Sequence, residues 1–481
     1  MAVMESYCGD DESSGFYGIA THPPCEYRNG MPCEPCNELT EIEAQIEDLQ
    51  KDLHDKHRQV RVKRNHVHSP LVHRFPLEIV SHIFTLAFPP RETNSCYHPR
   101  ERVLSLILTR VCHTWRDLAL SIPRLWCDIS VNAEYPNFPL LDHQIAHSGM
   151  VPLSIHLFTS TSGPLLQYAP AARQALSFVR KQLHRTASFC LVLEDNFIEL
   201  FNSNLQAAPA LKELHVHCRR LSITTTTSWL LRVAIEPPRP RRVLLDGVSY
   251  KQVSIDWTNV SSLVLRRCCI DGSFPETSLP ALRVLEIAAW ETLTTLEPMI
   301  CDLLHRSLCP LQVLNICEWV WDTEEGTTRV LLDVLEIANR LQQLTLQLMV
   351  YKKDSSIEPL LRRLSRRDRS FLPCLQSLCL RISCIPPLGL LLEAMSTNDL
   401  TTTPLQELIL ELDETDCNPI PVSDLLQILR LRAAGKTISI TYSSSWDHFS
   451  GAVDAVEYSK RIHGVGDMSS FSVVTLKTQE F

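Results

Sequence analysis

The sequence predicts an α/β repeat protein: a small all-helical module followed by an irregular solenoid of parallel strands and helices. Three observations lead there. A unit of the form P-x-L-x-x-L-x-apolar recurs along the second half of the chain. Amphipathic helical stretches separate its recurrences. Two short, strongly apolar helical blocks precede the first strand-like segment.

The order begins with residues 1–37, which mix Gly, Pro, Ser, Asn and acidic residues without periodicity and read as a disordered tail. Cys33-Glu34-Pro35-Cys36 is a C-x-x-C, with Cys8 and Cys25 upstream. A structural zinc site needs four ligands at workable spacing. One pair and two scattered thiols fall short of that, so they read as incidental cysteines. No metal site is expected.

Residues 38–66 read as an amphipathic helix. Leu39, Ile42, Ile46, Leu49 and Leu53 repeat at 3-4-3-4 spacing, the seam of a coiled coil; Lys56 interrupts it and Val60 resumes it. Acidic residues (Glu41, Glu43, Glu47, Asp48) crowd the first half. Basic ones (Arg58, Arg61, Lys63, Arg64) crowd the end, an order that suits the helix dipole. The seam can pair with another helix or fold back on its own chain; the sequence leaves both open. His66, His68 and His73 follow, and a polar linker accounts for them.

The segment 69–126 is the helical module. Its first block, R-F-P-L-E-I-V-S-H-I-F, sets Ile79, Val80, Ile83 and Phe84 at helical spacing after Pro76. Proline suits a first helical turn, where its missing N–H leaves no bond unmade. The second block, V-C-H-T-W-R-D-L-A, sets Val111, Cys112, Trp115 and Leu118 on one helical face. So short a pair cannot bury all of this, and the surplus reads as a docking surface.

This segment resembles an F-box. Phe75-Pro76 stands where Leu-Pro is usual. Val111-Cys112-His113-Thr114-Trp115-Arg116 matches the second half, with His113 for the usual Lys or Arg. A Pro- and Arg-rich insert, 88–102, departs from the compact pattern. The resemblance implies contact with a Skp-type adaptor through Phe75, Pro76, Ile79, Val80, Ile83, Phe84, Val111, Cys112, Trp115 and Leu118. Some of these must pack the module's own core, Trp115 above all. A short coiled helix ahead of the motif is also seen in many fungal F-box proteins.

Residues 127–445 are the solenoid. Strands at 127–131, 153–157 and 189–193 begin the stack, with a helix at 171–183, and Trp126 is buried at the junction with the module. The repeat starts at Pro209, Pro280, Pro310, Asn339, Pro373 and Pro404, with a weaker copy at Val260. Leu-x-Leu is a short strand whose alternate residues face inward. The proline stops what precedes it. One strand cannot bury its apolar face alone, so successive units stack into a parallel sheet. Helices at 329–338, 358–364, 388–395 and 423–430 complete strand–helix crossovers. The unit resembles a degenerate leucine-rich repeat. The Asn or Cys that usually follows the second Leu appears only at places such as Cys268 and Cys317. An ordinary α/β domain is the alternative. Residues 446–481 read as a cap or tail.

Composition excludes several classes. The chain has 481 residues, 44% apolar and 21% charged, as in ordinary globular proteins. Its net charge of −9 argues against bulk nucleic-acid binding. No apolar run is long enough to cross a bilayer, and the acidic start is unlike a signal peptide. The expected location is therefore cytoplasmic or nuclear. The 18 cysteines sit largely in apolar runs and read as buried thiols. No phosphate-cradling, nucleophile-elbow or zinc-protease motif occurs, and glycines number only 14, so no enzyme and no cofactor are expected. Arg362, Arg363, Arg366, Arg367 and Arg369 form a basic run, read as a solvated outer helix; Arg239, Arg241 and Arg242 read as a loop.

A docking module ahead of a repeat domain implies, by the two resemblances, a substrate-recognition subunit of an SCF-type cullin ubiquitin ligase. The Skp adaptor would bind the module and a target protein the repeats. The alternative is a repeat scaffold unrelated to ubiquitin, with 71–126 acting as a solenoid cap.

Overall fold

The computed structural model describes residues 34–68, 75–87, 104–159, 165–193, 208–218, 231–232, 238–248, 253–267, 278–288, 293–320, 325–349, 357–365, 371–382, 386–396, 405–412, 419–442 and 453–465. The chain divides into two compact units, one of residues 1–87 with 106–119, the other of 88–105 with 120–481.

The first unit is helical: α1 (Glu34–His68), α2 (Leu77–Leu86), α3 (Leu104–Val111) and α4 (His113–Ser121). Helix α1 starts four residues earlier than the sequence boundary at 38. Pro35 in its first turn explains this, since that position asks for no donor. Every side chain described in α1, from 34 to 64, is exposed except that of Cys36, which is half-buried. Among the described residues none covers the seam. Helix α2 opens on the Pro76 carbonyl, which accepts from the Ile79 and Val80 amides at 3.0 and 3.2 Å. Its inner face is Val80 and Phe84.

The second unit is built on one sheet. Its strands are β1 (Asp128–Asn132), β2 (Leu153–Phe158), β3 (Thr186–Leu193), β4 (Glu213–Cys218), β6 (Arg242–Asp246), β8 (Ser262–Arg266), β9 (Val284–Ala288), β10 (Val313–Val320), β11 (Gln343–Met349), β12 (Ser377–Ile382), β13 (Glu407–Leu412), β14 (Thr437–Tyr442) and β15 (Val453–Asp454). A separate pair joins β5 (Leu231–Arg232) to β7 (Val253–Ser254). In the main sheet spatial order follows sequence order, and each neighbouring pair from β1 to β14 is parallel. Helices α5 (Phe138–His147), α6 (Leu165–Gln182), α7 (Leu293–Ser307), α8 (Glu325–Ile337), α9 (Glu358–Ser365), α10 (Leu388–Met395) and α11 (Val422–Ala433) connect strands. This is the solenoid-like α/β repeat that the Leu-x-Leu recurrences predict.

Backbone geometry repeats with the sequence. The amides of Leu211, Leu282, Leu341 and Leu375 each donate to the carbonyl three residues earlier at 3.1 Å, a turn that delivers the first leucine inward. The next residue then bonds to its counterpart one repeat back: Gln342 to Gln312, Gln376 to Gln342 and Gln406 to Gln376, all at 2.8 Å. Two in-register apolar ladders run the length of the sheet. One includes Ile155, Phe189, Leu214, Val243, Leu263, Leu285, Leu314, Leu344, Leu378, Leu408 and Ile438. Every residue of that ladder is buried. No single strand could shield these side chains; the stack does.

The ends are closed locally. At the start, Pro123–Trp126 forms a 3-10 turn with Leu125 and Trp126 buried. At the finish, β15 pairs antiparallel with β14 and leads into α12 (Ala455–His463), which Asp454 caps through the amides of Val456 and Glu457. This ordered cap, 453–465, lies within the segment 446–481 that the sequence reads as a cap or tail. Among the described residues no helix is long and apolar enough to cross a membrane.

Candidate functional site

Two surfaces stand out, one on each unit. In the helical unit the described core is small: Val80, Phe84, Leu108, Leu118 and Ala119 are buried. The Trp115 ring lies 4.8 Å from that of Phe84, tilted by 51°, and its side chain stays half-buried. Of the residues expected to meet an adaptor, Val80, Phe84 and Leu118 therefore serve the interior. Ile83, Cys112 and Trp115 are half-exposed, and Phe75, Pro76, Ile79 and Val111 are exposed.

One sequence expectation is corrected. Val111, Cys112, Trp115 and Leu118 do not share one helical face, because the helix breaks at Cys112: α3 ends at Val111 and α4 begins at His113. The break leaves last-turn carbonyls of α3 needing donors. The Arg116 guanidinium supplies one, donating from Nε to the Thr109 carbonyl at 2.8 Å. Val111 thereby faces solvent while Leu118 faces the core.

The exposed apolar set is larger than the sequence reading held. Leu77, Leu86 and Ile107 join Phe75, Ile79 and Val111, each at least 46% exposed. Ile79, Ile83 and Leu86 follow one ridge of α2, and Ile107 with Val111 follows one ridge of α3. These helices are amphipathic, and among the described residues none closes over those ridges.

The second surface is the outward face of the sheet, opposite the leucine ladders. On its first strands that face is buried: His156, Cys190, His215, His217, Leu244 and Asp246 are all shielded. From β8 to β13 it opens into a cavity of about 690 Å³, with Asn315, Gln343, Thr345, Gln347, Ser377 and Cys379 on its floor. Charged pairs border it. Arg266 meets Glu286 at 2.6 Å, Arg381 meets Glu411 at 2.7 Å, and Ser377 donates to Glu407 at 2.7 Å.

At the edge of the open region lies the most buried charged cluster described. Asp246 accepts from Arg267 Nε at 2.6 Å, and His217 Nδ1 lies 2.7 Å from its other oxygen. Burial alone would raise this carboxyl. The hydrogen bonds and charges of His217 and Arg267 outweigh burial and hold it down at about 2. Arg267 itself adopts φ 46°, a backbone region that non-glycine residues rarely visit.

Burial pushes the thiol of Cys127 up to about 11 and raises those of Cys309 and Cys379, so none is an activated nucleophile. Among the described residues no group of His, Cys, Asp and Glu could hold a metal ion. Cys8, Cys25, Cys33, His73, Cys268 and the insert 88–102 lie outside the described residues. So do Arg366, Arg367 and Arg369. The described part of the basic run is structurally engaged: Arg362 pairs with Glu358, and Arg363 pairs with Glu336 and stacks over Phe371 at 4.7 Å. Arg239 and Arg242 pair with Asp256 and Glu213.

No protein-family model and no curated protein matches this chain.

Proposed function

We propose that the protein is a substrate-recognition subunit of an SCF-type cullin ubiquitin ligase. Its F-box-like helical unit holds a Skp-type adaptor, and its leucine-rich-repeat-like solenoid holds a target protein on the open sheet face. The protein performs no chemistry. It raises the effective concentration of the target near a charged ubiquitin-conjugating enzyme.

The observation that carries this reading is two exposed apolar ridges, Ile79, Ile83 and Leu86 on α2 and Ile107 and Val111 on α3, in a unit whose core is formed by Val80, Phe84, Leu108, Leu118 and Ala119. A half-exposed Ile or Leu gains about 1 kcal/mol when fully covered. Several together supply a docking energy that a solvated helix pair leaves unused. Phe75 and Pro76, where the F-box pattern has Leu-Pro, are exposed immediately before α2. Asn315, Gln343, Gln347 and Ser377 offer the target paired donors and acceptors in a partly enclosed floor, the mixture typical of a protein-recognition surface.

The test is capture of the full chain on a purified Skp-type adaptor. Ile79→Asp with Val111→Asp should abolish capture without shifting the thermal transition, since both side chains already face water. Retained capture by that variant rejects the proposal. A repeat scaffold with 71–126 as its cap is the competing reading. The burial of Leu125 and Trp126 favours it for the last few residues of that segment only.

A further inference from the structure

We propose that helix α1 mediates self-association, pairing antiparallel with α1 of a second copy of this chain. Leu39, Ile42, Ile46, Leu49, Leu53 and Val60 lie along one seam and are 44–68% exposed. A helix of 35 residues with no described side chain in a core lacks the tertiary packing that ordinarily sustains helices in water. A seam at 3-4 spacing is satisfied by another helix of the same kind.

Charge selects the orientation and the occupant. The first half carries Glu38, Glu41, Glu43, Glu47 and Asp48; the second carries Lys56, Arg58, Arg61, Lys63 and Arg64 against Asp52 and Asp55, and is net basic. In a parallel pair the acidic ends face each other and the basic ends face each other. The two Lys56 side chains, and then the two Lys63 side chains, would meet within the seam. In an antiparallel pair centred on Lys51, Leu49 packs against Leu53 of the second copy, Ile42 against Val60, and Ile46 against Lys56. Lys56 then leaves the seam toward the acidic half, as it already does within its own helix by bonding Asp52 at 2.6 Å. Glu43 comes beside Arg64 of the second copy, twice by symmetry. The helix is its own complement when reversed.

Sedimentation of the full chain at low salt tests this. A dimer is expected. Leu49→Asp with Leu53→Asp should give a monomer whose solenoid melts as before. Glu43→Lys should weaken the dimer by about tenfold, because two symmetry-related pairs change from attraction to repulsion. Adding Arg64→Glu to that variant should restore it. A monomeric wild-type chain, or a dimer indifferent to the two aspartates, overturns the proposal. So does a dimer strengthened by Glu43→Lys, which is the parallel arrangement's response.

Discussion

Replacing Trp126 with alanine strikes where the solenoid begins. The side chain is wholly buried, and its ring meets those of His143 at 5.2 Å and His147 at 5.5 Å, both on α5. A Trp-to-Ala change in a packed interior costs about 3–5 kcal/mol, the transfer term plus the cavity left behind. Stability in a stacked repeat is a sum of local and nearest-neighbour terms, so the loss falls on the first strands rather than evenly. Hydrogen exchange followed by mass spectrometry should show β1 and β2 opening while β10 to β14 keep their protection. A matched pair of truncations sharpens this. Removing residues 1–119 should spare the sheet, whereas removing 1–126 also strips Leu125 and Trp126 and should expose β1. Equal protection of β1 in both truncations, or a Trp126→Ala cost below about 1 kcal/mol, would refute the placement of the boundary at 120.

Two further outcomes follow from the sheet. The Asp246 carboxyl is held at about 2 against an ordinary value of 3.8, so it contributes about 2 kcal/mol that is complete above pH 4 and vanishes as pH falls through 2. Asp246→Asn should therefore destabilise the protein at neutral pH and flatten its acid unfolding over that window in urea titrations at stepped pH; an unchanged acid profile would remove the cluster from the stability account. Gly247, at φ 68°, has its missing Cβ position only 2.6 Å from the Cys218 carbonyl oxygen. Gly247→Ala should cost at least about 1–3 kcal/mol through backbone strain and should loosen β4 against β6, visible as a lowered urea midpoint.

Much of this fold is legible in the sequence because its determinants are local. Leu-x-Leu after a turn states both the strand and its inward face, and the parallel order follows from stacking. Helix α10 falls at the expected 388–395. What escaped depends on distance in sequence. His217, Asp246 and Arg267 meet only because three successive repeats align in register, and nothing in the Leu-x-Leu pattern marks its outward position. The break at Cys112 was hidden because Val111, Cys112, Trp115 and Leu118 also fit one continuous helix. The exposure of Leu77, Leu86 and Ile107 could be read only once Val80, Phe84 and Leu108 were seen to fill the core. The apolar surplus of this unit is thus legible in the sequence, but its division into inside and outside is not.

Calorimetric titration of a purified Skp-type adaptor into the full chain measures the central claim directly. The account predicts one adaptor bound per chain, a negative heat-capacity change from covering the α2 and α3 ridges, and loss of binding in Ile79→Asp with Val111→Asp. No heat of binding to the well-folded wild-type chain, or equal affinity for the two proteins, would contradict it.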